Sequence, residues 1–192
     1  MFSENHAPTG RDVRITPTSP HPRSRDDPTS LRAVMSRFAT GVTVLTAGGS
    51  RAHGMTANSF NSVSLDPPLV LCCVSRTARM HASIAASCSF GVSVLADDQR
   101  ELARYFADRT RPAGWRQFEG VGWKDGPFTG APLLDGSLAW LECELADVHE
   151  AGDHSIFLGS VLGSGCGADS GALLFCGGDY YDIKTKRREE KR

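Results

Sequence analysis

The run Gly54-Met55-Thr56-Ala57-Asn58-Ser59-Phe60-Asn61-Ser62-Val63-Ser64-Leu65-Asp66-Pro67-Pro68-Leu69-Val70-Leu71 constrains this chain more than any other stretch. It gathers small polar residues, then meets a Pro-Pro pair that opens the most apolar segment of the protein. Hydroxyls, amides and backbone N–H groups are thus offered beside a strand suited to a core. Leu69 to Val74 is apolar at every position, which predicts a central strand buried on both faces.

The flanking sequence fits that strand into a β-rich domain. Leu31, Val34, Met35 and Phe38 recur at helical spacing, with Thr29 or Ser30 as N-cap and Gly41 as the stop. Val42 to Thr46 is a β-branched strand ended by Gly48-Gly49-Ser50, and His53 to Ser64 reads as the next strand, running into a polar loop. Thr77 to Ala86 predicts a short helix. Phe90, Val92 and Val94 alternate with small residues in a half-buried strand. Asp98-Gln99-Arg100-Glu101 has capping-box form before a helix presenting Leu102, Ala103 and Phe106. Arg109 to Pro132 reads as one long loop carrying Trp115, Phe118, Trp123 and Phe128, and such loops are commonly functional. Leu138 to Val148 is the longest strand, with Trp140, Glu142 and Glu144 on its solvent side. A turn at Glu150 to Asp153 leads to a strand from His154 to Leu162. Gly163 to Gly171 reads as a flexible loop and Ala172 to Cys176 as the last strand.

About six strands in hairpin order, short inserted helices and no repeating βαβ unit predict a closed antiparallel β-barrel with peripheral helices. No Gly-x-Gly-x-x-Gly turn follows a strand, so a doubly wound parallel sheet is disfavoured. Three parts are expected: a disordered Pro-rich tail over 1–29, a domain over 30–183, and a charged tail over 184–192.

Composition narrows the class of function. The formal net charge of −1 gives no reason to expect nucleic acid or an anionic membrane as partner. With no membrane-length apolar run and no apolar signal core near Met1, the expected location is the cytoplasm. The cysteines at 72, 73, 88, 143, 166 and 176 have neither zinc nor disulfide spacing. They read mainly as small buried hydrophobes, with adjacent Cys72 and Cys73 on opposite strand faces. No metal site is expected, and His149 and His154 are too far apart along their hairpin to form one.

Chemistry alone leaves two readings of Thr56-Ala57-Asn58-Ser59 open. Its groups suit a phosphate or a heterocycle, with Arg79 supplying a bidentate counter-charge. They suit ordinary loop hydrogen bonding equally well.

Several blocks together resemble the flavin reductase-like family. They are Phe38-Ala39-Thr40-Gly41-Val42-Thr43-Val44-Leu45-Thr46, Gly54-Met55-Thr56-Ala57-Asn58-Ser59-Phe60 and Ser62-Val63-Ser64-Leu65-Asp66-Pro67-Pro68-Leu69-Val70. Further blocks are Phe90-Gly91-Val92-Ser93-Val94-Leu95, Pro132 to Cys143, and Gly152-Asp153-His154. The likeness spans Leu31 to about Ile183, in the family's order.

The resemblance implies a mainly β, antiparallel six-stranded split β-barrel of Greek-key order with short flanking helices. It also implies an NAD(P)H:flavin oxidoreductase, a homodimer that binds FMN or FAD and takes a hydride from NADH or NADPH onto N5. Reduced flavin would then serve a flavin-dependent oxygenase. By matching positions, Gly54, Met55, Thr56, Asn58 and Ser59 meet the flavin ring and ribityl chain. Cys73, Val74, Ser75 and Arg79 lie along the phosphate side, and Phe106 on the adenine or dimer side. His154, with Phe175 and Tyr180, lines the nicotinamide side. Met80 cannot donate a hydrogen bond, so the anion site would lean on Arg79 and Arg76.

Hydride transfer needs no strong acid or base from the protein, so the lack of a catalytic triad agrees with this activity. Two rival readings keep the fold. In one, the flavin is retained and the protein itself oxidises or hydroxylates an organic substrate. In the other, the barrel is a non-catalytic flavin or haem binder.

Overall fold

The computed structural model describes residues 30–183, and the two expected tails lie outside them. The chain divides into two units, one ending at Met35 and one running from Ser36. In the first, Ser30 caps helix α1 (Leu31–Met35) by accepting the Ala33 N–H on its Oγ at 3.2 Å. The helix stops at Met35, well short of Gly41, and leaves Leu31, Val34 and Met35 exposed.

The second unit begins with β1 (Thr40–Gly41), β2 (Thr43–Ala47), β3 (His53–Ala57), β4 (Phe60–Leu65) and β5 (Pro68–Ser75). Helix α2 (Arg79–Ser87), β6 (Ser89–Val94) and helix α3 (Arg100–Ala107) follow. The rest comprises β7 (Trp123–Asp125), β8 (Pro132–Leu134), β9 (Ala139–Ala151), β10 (His154–Cys166), β11 (Ala172–Cys176) and β12 (Asp179–Ile183). An antiparallel sheet of seven strands, ordered β3-β2-β6-β9-β10-β5-β4, is the main layer. A sheet β1-β11-β12 and a pair β7-β8 flank it.

The expected strand His53 to Ser64 breaks at Asn58-Ser59 into two, which makes the main sheet seven-stranded. The pieces on either side, β3 and β4, are consecutive in sequence yet occupy opposite edges of the sheet. The sheet therefore curls until its edges meet at that two-residue link. No ladder joins β3 to β4 among the described residues, so the barrel is split there rather than closed. The Ser59 carbonyl accepts the Cys73 N–H at 3.0 Å, tying the link to β5.

Strand β2 lies next to edge strand β3 and is buried on both faces. Leu45 packs with Val70, Cys72, Val74, Phe90 and Phe157 under α2, which contributes Met80 and Ile84. Val44 packs on the other side with Val42, Ala103, Phe106, Phe118 and Leu134. Burial of this many large apolar side chains is the main stabilising contribution, roughly 1.5–3 kcal/mol for each Leu, Val, Phe or Met.

Several expectations change for identifiable reasons. Strand β5 buries only Val70, Cys72 and Val74, because its other face is half open. Strand β6 is buried at Phe90 through Ser93 instead of on one face. Its Ser93 Oγ accepts the Leu134 N–H at 3.0 Å, which brings the β7-β8 pair over its small residues. Gln99 does not cap α3 with its side chain; Oε1 accepts the Ala96 N–H and Nε2 donates to the Asp135 carbonyl. The segment 163–166 continues β10 against β9, so the strand ends at Cys166.

Glu142 does not face solvent. It is fully buried, and its carboxylate accepts from the Phe128 N–H, the Thr129 N–H and the Thr129 hydroxyl. The loop over Arg109 to Pro132 holds a 3-10 turn (Gly114–Phe118) and strand β7, with Trp115, Phe118 and Trp123 packed ring against ring. Phe128 stands apart, 59% exposed.

Candidate cofactor-binding cavity

Four stretches line one cavity of about 450 Å³: the end of β3 with the Asn58-Ser59 link, the outer face of β5 and the start of α2 that follows it, and the chain leaving α3. This volume falls in the usual range for a small-molecule or cofactor site. Met55, Thr56, Asn58 and Ser59 form one wall, and Cys73 and Ser75 form the next. Their presence explains why the outer face of β5 is not core. Thr77, Ala78 and Arg79 close the site where α2 begins, and Phe106, Ala107, Arg109 and Arg111 close it opposite. His53 and His154 complete the lining.

The polar groups of the wall are locally braced. Thr56 Oγ1 donates to the Ala103 carbonyl at 2.7 Å, and Ser59 Oγ donates to the Cys73 carbonyl at 2.8 Å. Ser75 and Thr77 share a hydroxyl contact of 3.1 Å. At the start of α2 the Ala78 and His81 N–H groups are taken by the Ser75 and Ala78 carbonyls. Those of Arg79 and Met80 are left without a partner inside the helix, beside the hydroxyls of Ser75 and Thr77, an arrangement that favours a phosphate. Three guanidiniums, of Arg79, Arg109 and Arg111, line the cavity and no carboxylate does. Arg79 has no carboxylate partner among the described residues. The site is therefore built for an anion with an attached polar or aromatic body.

One side is organised around a buried arginine. Arg111 is 9% exposed and donates to the carbonyls of Gly54 and Asp108. Its Nη2 lies 3.2 Å from His53 Nε2, and its Cζ sits 5.7 Å from the Phe106 ring centre. Burial, with Arg111 and then Arg79 nearby, lowers the His53 pKa to about 4. Burial also moves the Arg111 pKa down.

The expected site residues sort cleanly. Met55, Thr56, Asn58, Ser59, Cys73, Ser75, Arg79, Phe106 and His154 share this cavity. Val74 points into the core instead, fully buried beside Cys72. Gly54 is buried behind the wall, where a Cβ would come within 2.5 Å of Phe106. It serves the site by permitting that close approach. Arg76 turns away to pair with Glu150 at 3.3 Å.

Phe175 and Tyr180 are not brought together with His154. They pack edge to face and line a smaller neighbouring cavity of about 160 Å³, which shares Thr56, Ala57, Asn58 and Ala107 with the larger one. His154 is exposed, with Nδ1 2.8 Å from Asp153 Oδ1. That hydrogen bond holds the Asp153 carboxyl below the usual range.

Sequence reading missed His53, Thr77, Arg109 and Arg111. The available signal was basic residues in a loop of functional length; nothing in the spacing said that the loop folds back onto β3.

A family model, the flavin reductase like domain, matches residues 35–184. This chain belongs to that family. An NADH-dependent FAD reductase of Streptomyces globisporus is 50% identical over 154 residues, covering 80% of this chain and 85% of the relative. The crystal structure of BorF, the flavin reductase component of a bacterial two-component tryptophan halogenase, is 51% identical with a TM-score of 0.78. It aligns over 81% of this chain and 98% of its own. The Streptomyces globisporus NADH:FAD oxidoreductase SgcE6, solved with NAD and FAD fragments, has a TM-score of 0.77 at 45% identity. That match covers 84% of this chain and 98% of the other. The cavity suits the family's cofactor: it offers cations and hydroxyls for phosphate, small residues for a ring, and no opposing carboxylate. Among the described residues no helix is long and apolar enough to cross a membrane.

Proposed function

We propose that this chain is an NADH-dependent flavin reductase that takes FAD, or FMN, in the 450 Å³ cavity. One observation carries the reading: the Thr56 to Ser59 wall and the Arg79 end of α2 face a single carboxylate-free cavity. The names of the relatives support FAD and NADH as the preferred pair.

Bound flavin supplies the two-electron acceptor for the hydride that NADH gives up. The protein's part is binding and orientation. Arg79, Ser75 and Thr77 would hold phosphate, while Met55, Thr56, Asn58 and Ser59 would flank the ring system. His154, exposed at the mouth and braced by Asp153, would orient the nicotinamide side. Cys73 would line the phosphate side of β5, where it faces the cavity, while Val74 packs in the core behind it and touches no ligand. Phe106 supports the wall from beneath Gly54. Phe175 and Tyr180 offer an adjoining aromatic surface for a second ring.

A homodimer, and an oxygenase that consumes the reduced flavin, complete the reading. Val63 and Leu65 on edge strand β4, 49% and 90% exposed, support a surface that a second copy covers. Purified protein mixed with NADH and FAD or FMN should consume NADH catalytically. Consumption no faster than the protein-free background with either flavin would overturn the assignment, and a monomeric mass in sedimentation would overturn the dimer.

A further inference from the structure

His53 opens β3 at the base of the cavity and is 7% exposed. The Arg111 guanidinium, 3.2 Å from Nε2, has donors only. Nε2 must therefore present its lone pair, which leaves the ring proton on Nδ1. Arg111 cannot easily turn aside, because it also grips the Gly54 and Asp108 carbonyls and has Nε 3.4 Å from Gln117 Oε1.

Nδ1–H has no hydrogen-bond partner among the described residues. It is not one of the sealed, unpaired buried atoms either, which are Thr40 Oγ1 and Ser137 Oγ. A buried donor of this kind calls for an acceptor, and the space beside it is the cavity. Arg79, Arg109 and Arg111 make that space attractive to anions, and Arg79 and Arg111 are both near enough to act on the imidazole.

We propose that His53, held by Arg111 as the neutral Nδ1–H tautomer, donates to a phosphoryl oxygen of the bound nucleotide and sets the preference for phosphorylated flavins over riboflavin. The assignment rests on the flavin-reductase reading of the same cavity. The lowered pKa accords with it, since the ring stays neutral across the physiological range and adds a directional donor rather than another charge.

The test uses the full chain with His53→Leu and His53→Gln, titrated with FAD, FMN and riboflavin, and histidine-labelled wild type followed by ¹⁵N NMR. Replacement by Leu should weaken FAD and FMN about tenfold to a hundredfold, the loss of one hydrogen bond to a charged group, and leave riboflavin unchanged. Gln, which can accept from Arg111 and still donate, should retain most of the affinity. The wild-type spectrum at pH 7 should show a protonated Nδ1 that shifts when inorganic diphosphate is added. A protonated Nε2, unchanged FMN affinity in the Leu variant, or an equal loss for riboflavin would each overturn the proposal. The two readings fail separately. A diphosphate-sensitive His53 without NADH consumption sinks the reductase alone, whereas full turnover with unaltered FMN affinity in His53→Leu sinks this assignment alone.

Discussion

Gln117 stands beside Gly54 in the place of a neighbouring strand. Its Oε1 accepts the Gly54 N–H at 2.8 Å, and its Nε2 donates to the Ala52 carbonyl at 3.1 Å. Strand β3 is a sheet edge, and these are backbone groups that an edge leaves unpaired. Arg111 serves the same edge through the Gly54 carbonyl. The loop after α3 thus holds β3 in register, and β3 carries Met55 and Thr56 to the cavity.

Replacing Gln117 by Leu strips partners from Gly54, Ala52 and Gly114 in a fully buried position. The expected loss is about 3–5 kcal/mol, since each buried group left unpaired costs on the order of 1–3 kcal/mol. Urea unfolding would measure it, and FAD affinity should fall in the fraction that remains folded.

His53 makes stability pH-dependent in a defined window. Its folded pKa of about 4 lies below the unfolded value of 6.5, so the unfolded chain binds the proton first. The contribution is fully present above about pH 6.5 and is lost as pH falls toward 4. The loss should be at most about 3 kcal/mol, from 1.36 kcal/mol per unit over the drop from 6.5 to about 4. Thermal unfolding across that range should show the slope in wild type and a flatter one in His53→Gln. Asp108 and Asp153, whose carboxyls lie below the usual range, act only at lower pH.

Glu142 should matter for stability more than for turnover. Its carboxylate collects donors from Phe128 and Thr129, so Glu142→Leu leaves those amides unpaired and releases the loop 126–131. We expect a loss of about 2–4 kcal/mol in the unfolding free energy from denaturant titration, with NADH oxidation per folded molecule little changed.

Arg79 presents the opposite case. It is exposed, makes no ion pair among the described residues, and faces the cavity. Arg79→Ala should leave stability within about 0.5 kcal/mol of wild type. It should weaken FMN and FAD about tenfold while sparing riboflavin, an effect that shrinks at high salt. Fluorescence titration at two ionic strengths would check both parts.

Thiol chemistry should follow burial. The Cys72 and Cys143 thiols are pushed up to about 12 by burial, so neither offers thiolate near neutrality. Cys88 and Cys166 are exposed. Brief iodoacetamide treatment of the folded protein should label Cys88 and Cys166 and leave Cys72 and Cys143 unmodified by peptide mass analysis.

Local pattern was enough to locate β2, β6, β9 and β10, because alternation is a property of short windows. The turn between the last two, expected over Glu150 to Asp153, tightens to Gly152-Asp153 because Glu150 and Ala151 pair with Ser155 and His154. The wall from Met55 to Ser59 stands within one recognisable block, whereas Arg79 stands out by its charge alone, outside every such block. Tertiary structure alone decided the rest. Whether Glu142 meets water depends on a loop contributed from 126–131. Whether the outer face of β5 is core or cavity depends on what α2 and α3 leave uncovered. His53 is left to donate through Nδ1 because Arg111, 58 residues away in sequence, lies against its Nε2, and it stays neutral chiefly because it is buried. Periodicity reports which face a residue takes on its own element; which charges and donors wait on that face is set when distant segments meet.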